Sequence, residues 1–148
     1  MGPEGMAGAF QGVHLELHST VDVLEEVQQI AEDVCRQVGL DEETSHWTSM
    51  AVRETVVNAI THGNKNNPEK LVIIDFHVNS DHGKPSLVVT VRDQGEGFES
   101  ADIVDPLAPE NILNTSGRGI FLVRQFMDEV SIQRPTQGGT QVRMLKHL

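Results

Sequence analysis

The chain is predicted to fold as an α+β two-layer sandwich, with helices on one face of a mainly antiparallel, mixed sheet. Three observations carry this. Several short segments alternate apolar and polar residues at the period of a strand with one face in the core. Between the first two of them lie two longer stretches whose apolar residues recur at helical spacing. The strands that follow are joined by a short turn, Asp81 to Pro85, which suits a hairpin better than a parallel crossover. Strands grouped in this way, with the helices gathered between them, point to helices segregated on one side of an antiparallel sheet.

Val13, Leu15 and Leu17 alternate with His14, Glu16 and His18, so the first strand turns its histidines to water. Ser19 and Asp22 form an S-x-x-D start signal, and Leu24, Val27, Ala31, Val34 and Val38 repeat at helical spacing until Gly39 stops the helix. Asp41 begins the next helix with Glu42 and Glu43 in its first turn, and the pattern continues through Trp47, Met50 and Ile60 to Gly63. Asn64 to Glu69 is a loop. Val72, Ile74, Phe76 and Val78 mark one face of a strand over Leu71 to Val78, and the turn leads into a partner over Ser86 to Asp93. After a glycine-rich turn and an irregular stretch holding Pro106 and Pro109, a helix is predicted from about Arg118 to Met127. Val130 and Ile132 give one more strand, Gln137-Gly138-Gly139 a turn, and Thr140, Val142 and Met144 the inward face of the last strand.

With 148 residues the chain suits one domain, read here as residues 13–148 behind a flexible leader of residues 1–12. Its 38% hydrophobic and 22% charged residues are those of a globular protein, and no apolar run approaches the length needed to cross a bilayer. The opening carries no basic segment followed by an apolar one, so it does not read as a signal peptide. A single cysteine, Cys35, allows no internal disulfide and agrees with a reducing, cytoplasmic setting; it reads as a small apolar residue on a helix. A net charge of −11 argues against direct nucleic-acid binding, which needs clustered Lys and Arg, and favours a protein partner with a basic surface. A bound phosphate must then rely on local devices such as a helix N-terminus, backbone N–H groups or a metal ion.

Three places put polar residues where apolar ones belong. Glu54, Asn58 and His62 follow one another at i, i+4, i+8 and draw one polar line along an otherwise apolar helix. The line is either a solvent face or a set of oxygen ligands able to hold a hard cation such as Mg²⁺ and to position a hydroxyl. Asp93 continues the inward face of a strand and is followed by Gln94-Gly95-Glu96-Gly97-Phe98. A buried carboxylate there needs a donor, for which the exocyclic amine of a purine is one candidate, and Gly95 and Gly97 let the backbone come close to a flat ligand; an ordinary Asp-Gly turn is the alternative. Thr115-Ser116-Gly117-Arg118-Gly119 opens a helix and gathers unpaired N–H groups, a positive dipole end and an arginine, which together suit an anion. It is neither a P-loop nor a dinucleotide fingerprint.

Taken in order, these segments resemble the GHKL, or Bergerat-fold, ATPase family. Glu54-Thr-Val-Val-Asn58-Ala-Ile-Thr-His62-Gly63 looks like its N box, Asp93-Gln-Gly95-Glu-Gly97-Phe98 like its first glycine box, and Ser116-Gly117-Arg118-Gly119 like its second. Gly138-Gly139-Thr140 looks like its final motif, and the resemblance runs from about Val13 to Met144. Within the family, the short stretch from Phe98 to Ser116 and the segment Phe126-Met127-Asp128-Glu129-Val130 look most like the serine-protein kinases that act as anti-sigma factors. The resemblance implies ATP and Mg²⁺ as cofactors, Glu54 as general base toward a serine hydroxyl, Asn58 as metal ligand and Asp93 as the holder of the adenine amine. It implies further that Gly117, Arg118 and Gly119 hold phosphates, with Ser116 and His62 in the same nucleotide site, and that Thr140 joins the adenine contacts. A sigma factor and a phosphorylatable STAS-domain anti-anti-sigma protein are the partners it implies, with a homodimer as the assembly.

Arg53, directly before Glu54, either lowers the basicity of that carboxylate or faces another side of the helix. Two other readings stand beside the kinase: a nucleotide-dependent regulator that transfers no phosphate, and a detached catalytic domain of a sensor histidine kinase. A helical phosphoacceptor segment before Val13, which the last would call for, is not expected from the sequence.

Overall fold

A computed structural model describes residues 10–80, 83–95, 123–136 and 138–148. The first strand, β1, is Val13–His18. A 3₁₀ turn, Val21–Val23, leads into helix α1, Leu24–Gln37, and α2 follows as Glu42–Asn58 with a π-helical extension, Ala59–Gly63. The hairpin strands are β2, Leu71–Asn79, and β3, Ser86–Arg92, and the last two strands are β4, Glu129–Gln133, and β5, Gln141–His147. They form one five-stranded sheet of order β1-β2-β3-β5-β4, and every pairing in it is antiparallel. Within the predicted helix over Arg118 to Met127, residues 123–126 are helical and the earlier part lies outside the described residues.

The predicted inward faces fill the core. Val72, Ile74 and Phe76 on β2, Leu87, Val89 and Val91 on β3 and Met144 on β5 are buried against Val27, Ala31, Val34 and Val38 of α1 and Val52, Val56 and Ile60 of α2. Each large side chain so removed from water stabilises the fold by roughly 1.5–3 kcal/mol, which is why these positions fix the register. The outward residues of β1, His14, Glu16 and His18, are exposed as expected, and His14 pairs with Asp75 on the neighbouring strand. Cys35 is buried in the core, and burial pushes its thiol up to about 12, so it stays protonated and inert.

Asp41 caps α2: its carboxylate accepts the Thr44 N–H at 2.7 Å, which holds the Asp41 carboxyl below its ordinary range. The start signal assigned to Ser19 is a correction. Thr20 occupies the cap of the 3₁₀ turn without a side-chain bond, while Ser19 is buried and donates its hydroxyl to the Lys70 carbonyl at 2.7 Å. A hydroxyl committed to the chain entering the neighbouring strand β2 cannot also cap the helix that follows it. The face of α2 toward the core also carries Ser45, Ser49 and Thr55, whose hydroxyls return to the carbonyls of Leu40, His46 and Ala51. This local bonding satisfies these three hydroxyls in the interior, whereas Thr48 Oγ1, buried on the same helix, has no partner among the described residues.

Candidate functional site

The end of α2 leaves α-helical geometry before it reaches the first glycine box. Asn64 N–H donates to the Ala59 carbonyl at 2.8 Å, the five-residue spacing of a π turn, and Asn66 N–H reaches back to Ile60 at 2.8 Å. The wider turn changes which side chains share a face. Glu54 and Asn58, still on regular α-helix, are half-buried, whereas His62, inside the π turn, is exposed. The polar line therefore ends at Asn58, and it is Gly63, beside His62, that meets the neighbouring loop.

Asp93 stands one residue past the end of β3, with its backbone N–H donating to the Thr140 carbonyl at 3.0 Å. Its side chain is buried, at 5% exposure for the residue, and Oδ1 accepts two backbone N–H groups, from Gly95 at 2.9 Å and from Thr140 at 3.1 Å. Three glycines close around it. A Cβ on Gly63 would overlap Asp93 Oδ2, and one on Gly95 would overlap the Gly63 carbonyl. Gly139 takes a left-handed φ of +81°, and a Cβ there would overlap the Asp93 carbonyl. With Oδ1 held by two donors, Oδ2 has no hydrogen-bond donor among the described residues, and it is the oxygen free to receive an N–H from a ligand.

Burial raises the Asp93 carboxyl above its ordinary value; the Gly95 and Thr140 N–H groups and the positive charges of Lys70 and Arg92 act in the opposite direction without cancelling it. A carboxylate in this state gains from one more donor. Gly95 and Thr140 thus enter the site through their backbones, and the structure brings Gly63, Asp93, Gly95, Gly139 and Thr140 together as one cradle.

Asn58 supplies a second unmet acceptor. Its Oδ1 is buried and has no hydrogen-bond partner among the described residues, a situation that costs about 1–3 kcal/mol unless a ligand relieves it. A carboxamide oxygen is a suitable ligand for Mg²⁺, directly or through water, so the residue fits the cation that the resemblance implies. Glu54, one turn earlier on α2, makes no ion pair or hydrogen bond among the described residues. Arg53 turns away from it: Nη1 donates to Gln28 Oε1 on α1 at 3.4 Å. Of the two orientations left open for Arg53, the structure has the one that faces the other helix.

Gly97, Ser116, Gly117, Arg118 and Gly119, the remaining nucleotide-site positions, lie outside the described residues. From residue 123 on, the chain packs back onto α2 and β5. Phe126 stacks on Trp47 of α2 with ring centroids 4.8 Å apart, and Lys146 Nζ donates to the Phe126 carbonyl at 3.0 Å. Two contributors were not read from the sequence as part of a site: Asn64, taken for the start of a loop, and the side chain of Gln94. The one local signal was their polarity next to glycines at both ends of the cradle, and it does not distinguish them from ordinary turn residues.

Residues 17–146 match the family model described as a histidine kinase-like ATPase domain. The chain is 37% identical over 113 residues to an anti-sigma F factor of Heyndrickxia coagulans, covering 74% of this chain and 72% of that one. It is 27% identical over 143 residues to the serine-protein kinase RsbW of Staphylococcus epidermidis, covering 92% and 86%. A crystal structure of the RsbU and RsbW domains of a Mycobacterium tuberculosis protein superposes with a TM-score of 0.64 at 17% identity. That superposition covers 93% of this chain and 32% of the other, so this chain spans about a third of that protein, and the likeness bears on the fold.

Proposed function

For this chain, which belongs to the histidine kinase-like ATPase domain family, we propose a protein-serine kinase that binds ATP with Mg²⁺, holds a sigma factor and phosphorylates a STAS-type antagonist of that complex. The observation that carries the reading is the pair of unmet acceptors, Asp93 Oδ2 in its glycine cradle and the buried Asn58 Oδ1, set at the two boxes that open the nucleotide site. The names of the relatives, anti-sigma F factor and serine-protein kinase RsbW, support the class of activity and of partner.

In this reading Asp93 Oδ2 accepts the adenine amine, Thr140 joins the adenine contacts, and Gly97, lacking a side chain, lets the base lie close while Gly95 packs on the Gly63 carbonyl. Asn58 holds Mg²⁺, which when bound neutralises charge on the phosphates. Ser116, Gly117, Arg118 and Gly119 surround the phosphates, with His62 at the margin of the site. Glu54 orients the serine hydroxyl and accepts its proton. The acidic surface, with a net charge of −11, suits a basic patch on the sigma factor. A homodimer and a cytoplasmic location belong to the same reading and rest on the resemblance and the partner class; among the described residues, no helix is long and apolar enough to cross a membrane.

The test is incubation of the purified protein with labelled ATP, Mg²⁺ and candidate STAS-domain antagonists encoded nearby. Label on a serine of one antagonist is the expected result. A protein that binds ATP and a sigma factor yet labels none would be a nucleotide-dependent regulator. Asn58→Ala separates the metal from the rest: in magnesium its ATP affinity is expected to fall to the level the wild type shows in EDTA. Equal binding in magnesium and EDTA by both proteins would take Asn58 out of that role.

A further inference from the structure

Asn64 is nearly solvent-free, at 1% exposure, and its side chain spends its hydrogen-bonding groups on three separate parts of the chain. Nδ2 donates to Ser19 Oγ at 2.7 Å, at the end of β1, and to the Leu71 carbonyl at 3.0 Å, at the start of β2. Oδ1 accepts the Gln94 N–H at 2.7 Å, one residue past Asp93. Gln94 answers with its own side chain, whose Oε1 accepts the Leu71 N–H at 2.7 Å. Asn64, Gln94 and Leu71 therefore close a ring of three hydrogen bonds, and Ser19 extends it by donating to Lys70. The ring sits directly beside Gly63, which touches Asp93, and directly before Lys65 and Asn66, which adopt left-handed φ values of 51° and 59°. Two consecutive non-glycine residues in that region are costly and persist only where their surroundings hold them.

We propose that Asn64 is a positioning residue for base recognition: its carboxamide clamps the Gln94 backbone and the end of the π turn together, so that Asp93 Oδ2 is presented to the 6-amine of a purine and adenine is selected over 6-oxo purines. The proposal rests on the assignment of Asp93 to the adenine amine. Physically, Asp93 Oδ1 is already tied by Gly95 and Thr140, so the remaining freedom of the loop is rotation about those bonds. Asn64 removes it from the other side by holding the Gln94 N–H, between Asp93 and Gly95, both of which pack on Gly63. A carboxamide suits this place because it offers a donor and an acceptor on one flat group, and the two must act in opposite directions at once.

The experiment compares ADP with IDP, which carries an oxo group in place of the amine, by calorimetry on the full chain in Mg²⁺. The wild type is expected to prefer ADP. In Asn64→Ala that preference should shrink by about tenfold, the weight of one to two well-placed hydrogen bonds, with IDP affinity nearly unchanged because the phosphate contacts are shared. A variant that loses ADP and IDP binding in equal proportion, or keeps the wild-type preference, overturns the proposal and leaves the Asp93 assignment intact. A wild type that binds ADP and IDP equally removes the Asp93 assignment, and this proposal with it. If Asn64→Ala does not fold, Gln94→Ala decides: the position is exposed, the change deletes one bond of the ring, and a reduced ADP preference supports the clamp while an unchanged one overturns it.

Discussion

Glu54→Gln is expected to slow phosphorylation of the antagonist by about 10²–10⁴-fold, the usual worth of a general base, while ATP affinity stays within a few-fold. The substitution keeps the shape of the side chain and removes its ability to take a proton. Glu54 is half-buried on regular α-helix, one turn before Asn58, and no described residue holds its carboxylate by hydrogen bond or ion pair, so it is free to turn toward a hydroxyl at the γ-phosphate. Arg53 is engaged with Gln28 on the other helix and does not neutralise it. Sigma-factor binding is expected to persist in the variant, since a surface contact needs no proton transfer. Single-turnover transfer from labelled ATP measures the rate, and a Glu54→Gln protein as fast as the wild type would move the base elsewhere in the chain.

Asp93→Asn is expected to act in two opposite directions. Adenine nucleotide binding weakens by about 1–3 kcal/mol, because Oδ1 must go on accepting from Gly95 and Thr140 and the amide nitrogen then takes the place of Oδ2, setting a donor against the ligand's donor. The nucleotide-free protein, in contrast, becomes more stable at neutral pH. Burial raises the Asp93 carboxyl above its unfolded value, so the folded state favours the protonated form. Stability from this group is greatest below the ordinary carboxylate value of 3.8 and falls as pH rises through the window up to the raised folded value. At neutral pH the ionised carboxylate is a liability that the adenine amine relieves and that the amide avoids. Thermal melts without nucleotide should therefore place the variant above the wild type at pH 7, with the gap closing as pH falls into that window. A variant that melts lower at pH 7 and binds ADP as tightly as the wild type would take Asp93 out of the adenine site.

The sequence carried the sheet and the helices well because burial there follows simple periods. Val72, Ile74 and Phe76, or Leu87, Val89 and Val91, are apolar at every second position, and all of them lie in the core. Asp41 was legible as a helix start for a local reason, since a cap bonds within its own first turn. Ser19 presented the same local pattern and misled, because its hydroxyl is used 51 residues away, at Lys70. His62 was placed in line with Glu54 and Asn58 by assuming an unbroken α-helix, and a π turn after Asn58 shifts it outward. Periodicity does not encode that change of pitch.

By itself the sequence determined the class of fold, the order of its elements and the pairing of an inward Asp93 with glycines, since each of these depends on residue type at short range. Tertiary structure alone decided what Asp93 meets: Gly63 comes from the end of α2, and Gly139 and Thr140 from the turn before β5, and they converge only once the sheet is assembled. It also decided the role of Asn64, whose partners Ser19, Leu71 and Gln94 come from three different parts of the chain. A hydrogen bond is directional and short, so which distant groups satisfy a buried amide is fixed by how the layers stack, and no local pattern of residue types contains that information.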